Sequence, residues 1–544
     1  MSKRYVRVVN MIPKSLSGET NQDSEPQITI DPEHPSTIVG TAFTPDPAGG
    51  PDGPLYVSHD NGHTWTLDLA IPGEAFVPSI GQILPTFDQS VRFGHGSALY
   101  AGILRTNSNA MDILRSAPFT SGGVMAVVTN RNSIDQPYVA TKHANGRDRV
   151  FVGNNDASSG PYRGSVDHSP DARTAPPPAG FVQTALDPRV PFLRELPPIR
   201  CAAHRDGTVY AAYIPARSFA ATNTLCDVVV ARDDNFATGA SPFTDLIDPG
   251  DGLAGLRVRQ SAPFPWTSPF TYLGFERIGS NLSIAVEPEH SREVYLAWGE
   301  GPFAGSAQTL RVRRSNDHGA TWSGDLVTIA NAINPALAVT EDHKVGLLYQ
   351  EFVTVSGVNR WRTHIQVTHD AWKTPAEDIL LADTPEDPAT YPLWDPHLGD
   401  YIDLQAHGRD FYGIFSTNNT PDRANFPQGV RYQRNADFTG KQLYDVSGVT
   451  SVAASIDPFF AHIYWRDEER EEGLEEREER GERLRIKSLR YERLEIDGLS
   501  IDLDGDDEDG PVALLEHVDS SLRHLARRLE AELRERRKRR RDKH

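Results

Sequence analysis

From residue 25 to residue 415 the chain repeats one pattern. A short apolar run meets a polar turn, and a second apolar run rich in Val, Tyr and Ala follows. The pairs are 25–30 with 38–43, 90–93 with 99–104, 136–140 with 149–153, 198–203 with 209–213, 281–286 with 294–298, 334–339 with 345–349, and 400–404 with 411–415. Runs this short and this often punctuated predict strands, not helices. Each pair predicts a hairpin. Apolar residues at successive positions place both its faces inside the protein.

A second repeat punctuates the first. Tyr56-Val-Ser-His-Asp-Asn-Gly-His-Thr-Trp65 returns as Arg314-Ser-Asn-Asp-His-Gly-Ala-Thr-Trp322. Both contain Ser-x-Asp-x-Gly-x-Thr-Trp: Ser58, Asp60, Gly62 and Trp65, then Ser315, Asp317, Gly319 and Trp322. The Asp accepts N–H groups of its own turn. The Gly supplies a backbone conformation that side chains resist. The Trp anchors the turn to a sheet. Worn copies read Ser169-Pro-Asp-Ala-Arg-Thr174 and Thr368-His-Asp-Ala-Trp372. Repeats at this spacing predict an all-β propeller over residues 1–465, with about seven blades and six as the alternative. Radial closure also removes exposed strand edges.

The two turns resemble the Asp-box, or BNR repeat, of sialidases and related β-propellers. In that family the box marks the fold and lies on the face away from the active site. Leu398-Gly-Asp-Tyr-Ile402 and residues 17–26 resemble segments of bacterial sialidase-like and glycosyl hydrolase-like proteins of the same kind. The resemblance spans about residues 15–445. It implies a substrate carboxylate held by arginines, an aspartate acid/base and a Tyr/Glu nucleophile pair. It also calls for an Arg-Ile-Pro motif near the N-terminus, which this chain lacks.

In a propeller, the starts of first strands and the ends of second strands converge on one central cleft. Reading those positions gives a polar set: Asp23, Glu25, Asp88, Asp135, Gln136, Asn281, Asn334, Asp400 and Tyr401 from the starts, and Arg105, Asn155, Asp156, Arg217, Glu300, Glu351 and Asn418 from the ends. Asp135, Glu351, Tyr401, Arg105 and Arg217 are the catalytic candidates, with Arg200 as a further member of the arginine cluster. Glu300 is an alternative partner for Tyr401. Glu25, Asn155, Asn281, Glu300 and Asn418 are the substrate-binding candidates, and Asp23 and Asp400 the metal candidates. Massed carboxylates raise one another's pKa and act as acid and base, or hold a divalent cation. No cofactor is required by the motifs; calcium is the ion this set suits.

Composition narrows the partners. The formal net charge is -20, which argues against nonspecific nucleic-acid binding. The N-terminal residues carry no long apolar run and no stretch is long enough to span a bilayer. The expected location is cytoplasmic, or outside by a route that needs no N-terminal signal peptide. Cys201 and Cys226 are expected as reduced, buried thiols, with a pair as the alternative.

The pattern ends near Trp465. Residues 466–483 are a dense Glu/Arg run and are expected to be solvated. From Leu484 a period of five, Leu484/Ile486 through Leu499/Ile501, predicts short strands that pair with something else. Residues 502–509 form an acidic linker with a partial likeness to a calcium loop. The whole of 466–510 is the charged linker. Residues 511–544 predict an amphipathic helix, with Leu515, Val518, Leu522, Leu525 and Leu529 on one stripe and a basic tip.

Two functional expectations result. The first is a glycan, or another small ligand, bound and hydrolysed at the cleft. The second is a non-catalytic scaffold docked to a protein partner, or to itself, through the C-terminal helix.

Overall fold

The computed structural model describes residues 2–43, 47–48, 50, 52–73, 86–105, 110–158, 163–174, 180–189, 199–220, 223–264, 282–301, 308–386, 398–467, 486–490, 493–496 and 499–502. Two compact units divide the chain: residues 4–465, and residues 1–3 with 466–544.

The larger unit is built from four- and five-stranded sheets, named here in chain order, with one small three-stranded sheet beside them. Sheet 1 runs Ser24–Ile30, Ile38–Phe43, Gly53–Ser58 and Thr66–Ile71. Sheet 2 runs Thr86–Phe93, Leu99–Arg105, Ala110–Ser116 and Ala126–Arg131. Sheet 3 runs Ile134–Ala144, Arg147–Asp156, Arg163–Ser169 and Val182–Ala185. Sheet 4 runs Ile199–Ala203, Val209–Tyr213 with Ala216–Ala220, then Asn223–Asp233 and Leu256–Phe264. Sheet 5 runs Leu282–Val286, Val294–Glu300, Thr309–Ser315 and Val327–Ala330. Sheet 6 runs Ala332–Val339, Val345–Val355, Val358–Thr368 and Glu377–Pro385. Sheet 7 takes Asp403–His407, Asp410–Asn418 and Ile456–Asp467, and its next strand is Ser2–Asn10, from the other end of the chain.

The first strand of each sheet packs against the first strand of the next, and that of sheet 7 packs against that of sheet 1. This is an arrangement of the propeller kind. The strands are apolar on both faces because each sheet is covered on both sides. Val39, Leu55 and Val57 of sheet 1 share a buried cluster with Val91, Leu99 and Ile103 of sheet 2. Val228 and Val230 of sheet 4 share one with Ile284, Leu296 and Trp298 of sheet 5. Each such side chain contributes about 1.5–3 kcal/mol.

Antiparallel order fixes two ends. First strands begin and second strands finish at one end. The hairpin turns between first and second strands, and the turns between third and fourth strands, share the other. Ser58–Trp65 and Ser315–Trp322 are turns of the second kind. In the first, Thr64 N and Oγ1 donate to the two Asp60 oxygens at 2.8 and 2.6 Å. In the second, Thr321 donates to Asp317 at the same two distances. Gly62 and Gly319 adopt φ of 80° and 82°. Thr368, Asp370 and Thr374 build the same turn with Trp372 at the Gly position, φ 59°.

The structure corrects the seventh strand pair. The first strand of sheet 7 begins at Asp403, so Asp400 and Tyr401 lie in the approach to it. Cys201 and Cys226 are buried free thiols. In the smaller unit, Ile486–Arg490, Arg493–Ile496 and Leu499–Asp502 pair with one another in an antiparallel sheet instead of seeking another partner. The acidic loop, apart from Asp502, and the amphipathic helix lie outside the described residues. No helix among the described residues is long and apolar enough to cross a membrane.

Candidate functional site

Three first strands open on the same device. Glu25-Pro26, Gln136-Pro137 and Asn334-Pro335 each sit in a β-bulge, at Ser24/Gln27, Asp135/Tyr138 and Ile333/Ala336. The residue before each proline has φ of 51°, 48° and 54°. Proline drives its predecessor toward extended backbone, and a non-Gly residue at positive φ is strained. Strain repeated at one level of three sheets needs a compensating contact, and each tip finds the same one.

That contact is the segment Leu398-Gly-Asp-Tyr401. Glu25 Oε1 accepts from Asp400 N at 3.1 Å. Gln136 Nε2 donates to Asp400 Oδ2 at 3.2 Å. Asn334 Nδ2 donates to the Gly399 carbonyl at 3.0 Å. Tyr401 OH donates to Asp88 Oδ1 at 3.1 Å, which adds sheet 2. Sheet 4 adds Arg200, whose guanidinium carbon lies 4.0 Å from the Tyr138 ring centroid and 5.6 Å from that of Tyr401. Gly399 has φ 94°, and a Cβ there would fall 2.3 Å from Glu25 N. Only glycine lets the segment come this close.

This knot is dry. Glu25, Asp88, Asn334, Asp400, Tyr401 and Arg200 are all buried. Burial pushes the Tyr401 phenol well above its usual range; Asp88 and Glu25 add to this and Arg200 partly offsets it. One layer further along the strands, Arg92 pairs with Asp403 at 2.8 Å. Asp403 also accepts from Ile28 N at 3.0 Å. Burial pushes the Arg92 guanidinium down, but Asp403 and Tyr138 outweigh it and hold it above the usual arginine value.

Of the sequence candidates, Glu25, Asp400 and Tyr401 come together in the knot, with Asp135 at its edge accepting from Gln136 N at 2.9 Å. The others go elsewhere. Arg105 pairs with Asp112 at 2.8 Å within sheet 2. Arg217 pairs with Asp187 at 2.8 Å and Asp227 at 2.7 Å. Glu351 lies 3.8 Å from His364. Glu300 pairs with Arg311 at 2.6 Å and Arg259 at 3.3 Å. Asn418 accepts from Thr420 N. Asn155 is buried, and its Oδ1 has no hydrogen-bond partner among the described residues. Asn281 lies outside the described residues.

The two metal candidates separate. Asp400 belongs to the knot. Asp23 joins Glu19 and Asp457, whose ligand atoms lie within 4.8 Å of one another. Arg434 stands among them, 2.8 Å from Asp457 and 3.2 Å from Glu19. A guanidinium thus supplies the positive charge a cation would bring. Burial, then Asp23 and Asp457, push Glu19 well up, and Arg434 opposes them.

Asp88, Gln136 and Asn334 stand among the strand starts expected at the cleft, without a named role; the residues not foreseen are Arg92, Tyr138 and Asp403. A signal for the shared role existed: Glu-Pro, Gln-Pro and Asn-Pro recur at equivalent strand starts.

The chain matches no protein-family model and no curated protein. Among solved structures it is similar to a GH74 enzyme of Niastella koreensis, at 11% identity and a TM-score of 0.34, covering 74% of this chain and 64% of that one. It is similar to a PL25 ulvan lyase, at 11% identity and a TM-score of 0.44, covering 74% and 92%. It is also similar to Sqt1 of Chaetomium thermophilum bound to the N-terminus of ribosomal protein L10, at 13% identity and a TM-score of 0.37, covering 82% and 100%.

Proposed function

We propose that the chain is a seven-bladed Asp-box propeller that works as a non-catalytic interaction scaffold. The cyclic packing of the seven first strands supports the blade count. One observation carries the scaffold reading: the acids and amides at the centre are spent on holding Leu398–Tyr401. An acid/base pair must face substrate, whereas these groups face each other. Of the three candidate arginines, Arg105 and Arg217 are held by carboxylates away from the knot, and only Arg200 stands beside Tyr401. The large exposed apolar side chains among the described residues are all aliphatic, so none of them gives a sugar a ring to stack on. No cofactor is needed for this role, and the helix predicted over 511–544 is the proposed docking element.

A second reading rests on a specific pair. Tyr401 and Asp88 place a phenol hydroxyl 3.1 Å from a buried carboxylate, beside a guanidinium. A tyrosine nucleophile with its carboxylate base would have this form.

Screening the full chain with fluorogenic glycosides, sialosides included and with and without calcium, separates the readings. The scaffold reading expects no turnover, and expects Tyr401→Phe and Asp88→Asn to lower thermal stability. Turnover abolished by Tyr401→Phe at unchanged stability would establish a glycosidase instead.

A further inference from the structure

At the end opposite the knot, one pair of cations goes unanswered. Lys142 and Arg149 stand directly opposite each other on the first and second strands of sheet 3. Opposed residues of antiparallel strands point their side chains to one face, and like charges placed so are destabilising. The face is the one toward sheet 4. Two positions further along each strand, Ala144 and Phe151 pack on it with Val209 of sheet 4 and with Phe236, which follows the Asn223–Asp233 strand.

Neither side chain pairs with a carboxylate among the described residues. Arg149 is only 8% exposed, and its Nε is buried without a hydrogen-bond partner. Its guanidinium carbon lies 4.8 Å from the Phe236 ring centroid, a contact that leaves the N–H groups unused. Burial, then Arg147, push this guanidinium down, and Asp171 opposes them. Lys142 is half-buried. Burial, then Arg205, push its amine down, against Glu341 and Glu289.

Other cations at this end find acids. In the corresponding turn of sheet 4, Arg205 pairs with Glu289 at 2.6 Å. In those of sheets 6 and 7, Lys344 and Arg409 both pair with Asp342. In a chain of net charge -20, acids are plentiful, so two opposed cations without one are a local exception. An anion seated between them would supply the missing negative charge and accept the unused N–H groups. A planar guanidinium fork beside an ammonium matches the several oxygens of a tetrahedral oxyanion.

We infer that Lys142 and Arg149 form a binding site for a phosphate or sulfate group where sheets 3 and 4 adjoin. Arg147 and Arg205 add positive charge around it. The site uses no residue of the knot, so it stands apart from the scaffold reading.

Calorimetric titration of the full chain with sodium phosphate and sodium sulfate, against sodium chloride at matched ionic strength, tests this. Phosphate or sulfate is expected to bind at one site and chloride is not. Phenyl phosphate separates the sources: tighter binding than inorganic phosphate assigns the site to an esterified group, weaker binding to the free ion. Lys142→Met and Arg149→Met keep the apolar stems and remove the charges. Each is expected to weaken binding by roughly 10-fold or more. Each is also expected to raise the thermal midpoint in phosphate- and sulfate-free buffer, because the opposed charges are gone. Lys142 is half-buried, so its variant keeps the test open if Arg149→Met does not fold. Arg409→Met, which removes one cation from the corresponding turn of sheet 7, is expected to leave the affinity unchanged. Phosphate and sulfate binding no tighter than chloride, or affinity equal to the parent's in the Met variants of Lys142 and Arg149, overturns the assignment.

Discussion

The two ends of the ring hold themselves together by opposite means. At the turn end, Asp60 and Asp317 bond only within their own turns, to Thr64 and Ser58 and to Thr321 and Ser315. The Ser–Asp–Thr bond set of each turn is a local, repeatable device, to which Gln433 and Arg7 in the first turn and Arg232 in the second add bonds from outside. At the other end the knot is one object made from distant pieces: Glu25 and Asp400 are 375 residues apart, Gln136 and Asp400 264. The turn end can lose one copy and keep the rest. The knot has no second copy, so damage to it reaches five sheets at once.

Gly399→Ala tests that difference most severely. The new Cβ would fall 2.3 Å from Glu25 N and 2.4 Å from Glu25 Cγ, at a φ of 94°. Backbone cannot yield there without releasing Glu25, Asp400 and Asn334 together. The expected loss is about 4 kcal/mol or more, read as a shift of the denaturation midpoint. Gly319→Ala provides the counterpart. Its φ is 82° and its nearest neighbour is the flexible Leu246 Cδ2 at 3.2 Å, so about 1 kcal/mol is expected. Equal losses would break the comparison.

What could be read from the sequence follows the same division. Ser58, Asp60 and Gly62 announce their turn because the side-chain bonds of Ser58 and Asp60 lie within a few residues. The hairpins are legible for the same reason, since alternation and punctuation are short-range. The knot is long-range. Asp400 and Tyr401 mark it, but nothing near them names Gln136, Asn334 or Asp88 as partners. Arg105 and Arg217 illustrate the limit from the other side. Their nearby carboxylates Asp112 and Asp227 claim them, and counting positions along a strand does not reveal that. Closure of sheet 7 by Ser2–Asn10 is equally silent, because the pairing joins the two ends of the larger unit.

The tryptophans sharpen the comparison within the turn end. Trp65 is buried, with its ring edge-on to Phe460 at 5.2 Å. Trp322 is half-buried and donates to the Gly319 carbonyl of its own turn at 3.0 Å. Trp65→Ala is expected to cost about 3 kcal/mol and Trp322→Ala about half that, by chemical denaturation. Matching values would mean that the two turns are anchored alike despite their different burial.

Acid titration separates interior acids from turn acids. Burial pushes Asp167 up to about 6, against the pull of Arg131 and Asn154. Its unfolded value is about 3.9. Between the two, the folded state holds the proton more often than the unfolded one. Stability from this group is therefore complete below about pH 4 and is lost as pH rises toward 6, by about 2 kcal/mol. Asp167→Asn is expected to flatten that part of the stability profile, measured by denaturation at a series of pH values. A decline that persists in the variant assigns it to another group.

Asp60 and Asp317 titrate in the opposite sense. Burial raises both, but hydrogen bonds from Thr64 and Ser58, and from Thr321 and Ser315, prevail and lower them. A lowered carboxylate contributes stability above its unfolded value and loses it as pH falls through the folded one. Asp60→Ala and Asp317→Ala are each expected to cost about 1 kcal/mol at neutral pH, no more than Gly319→Ala. The double variant should cost the sum, because the turns share no residue and sit on different sheets. Both single variants should also lose less stability than the parent below about pH 4. A double variant far worse than the sum would mean that the turns communicate through the ring, and the picture of separate local devices would fail.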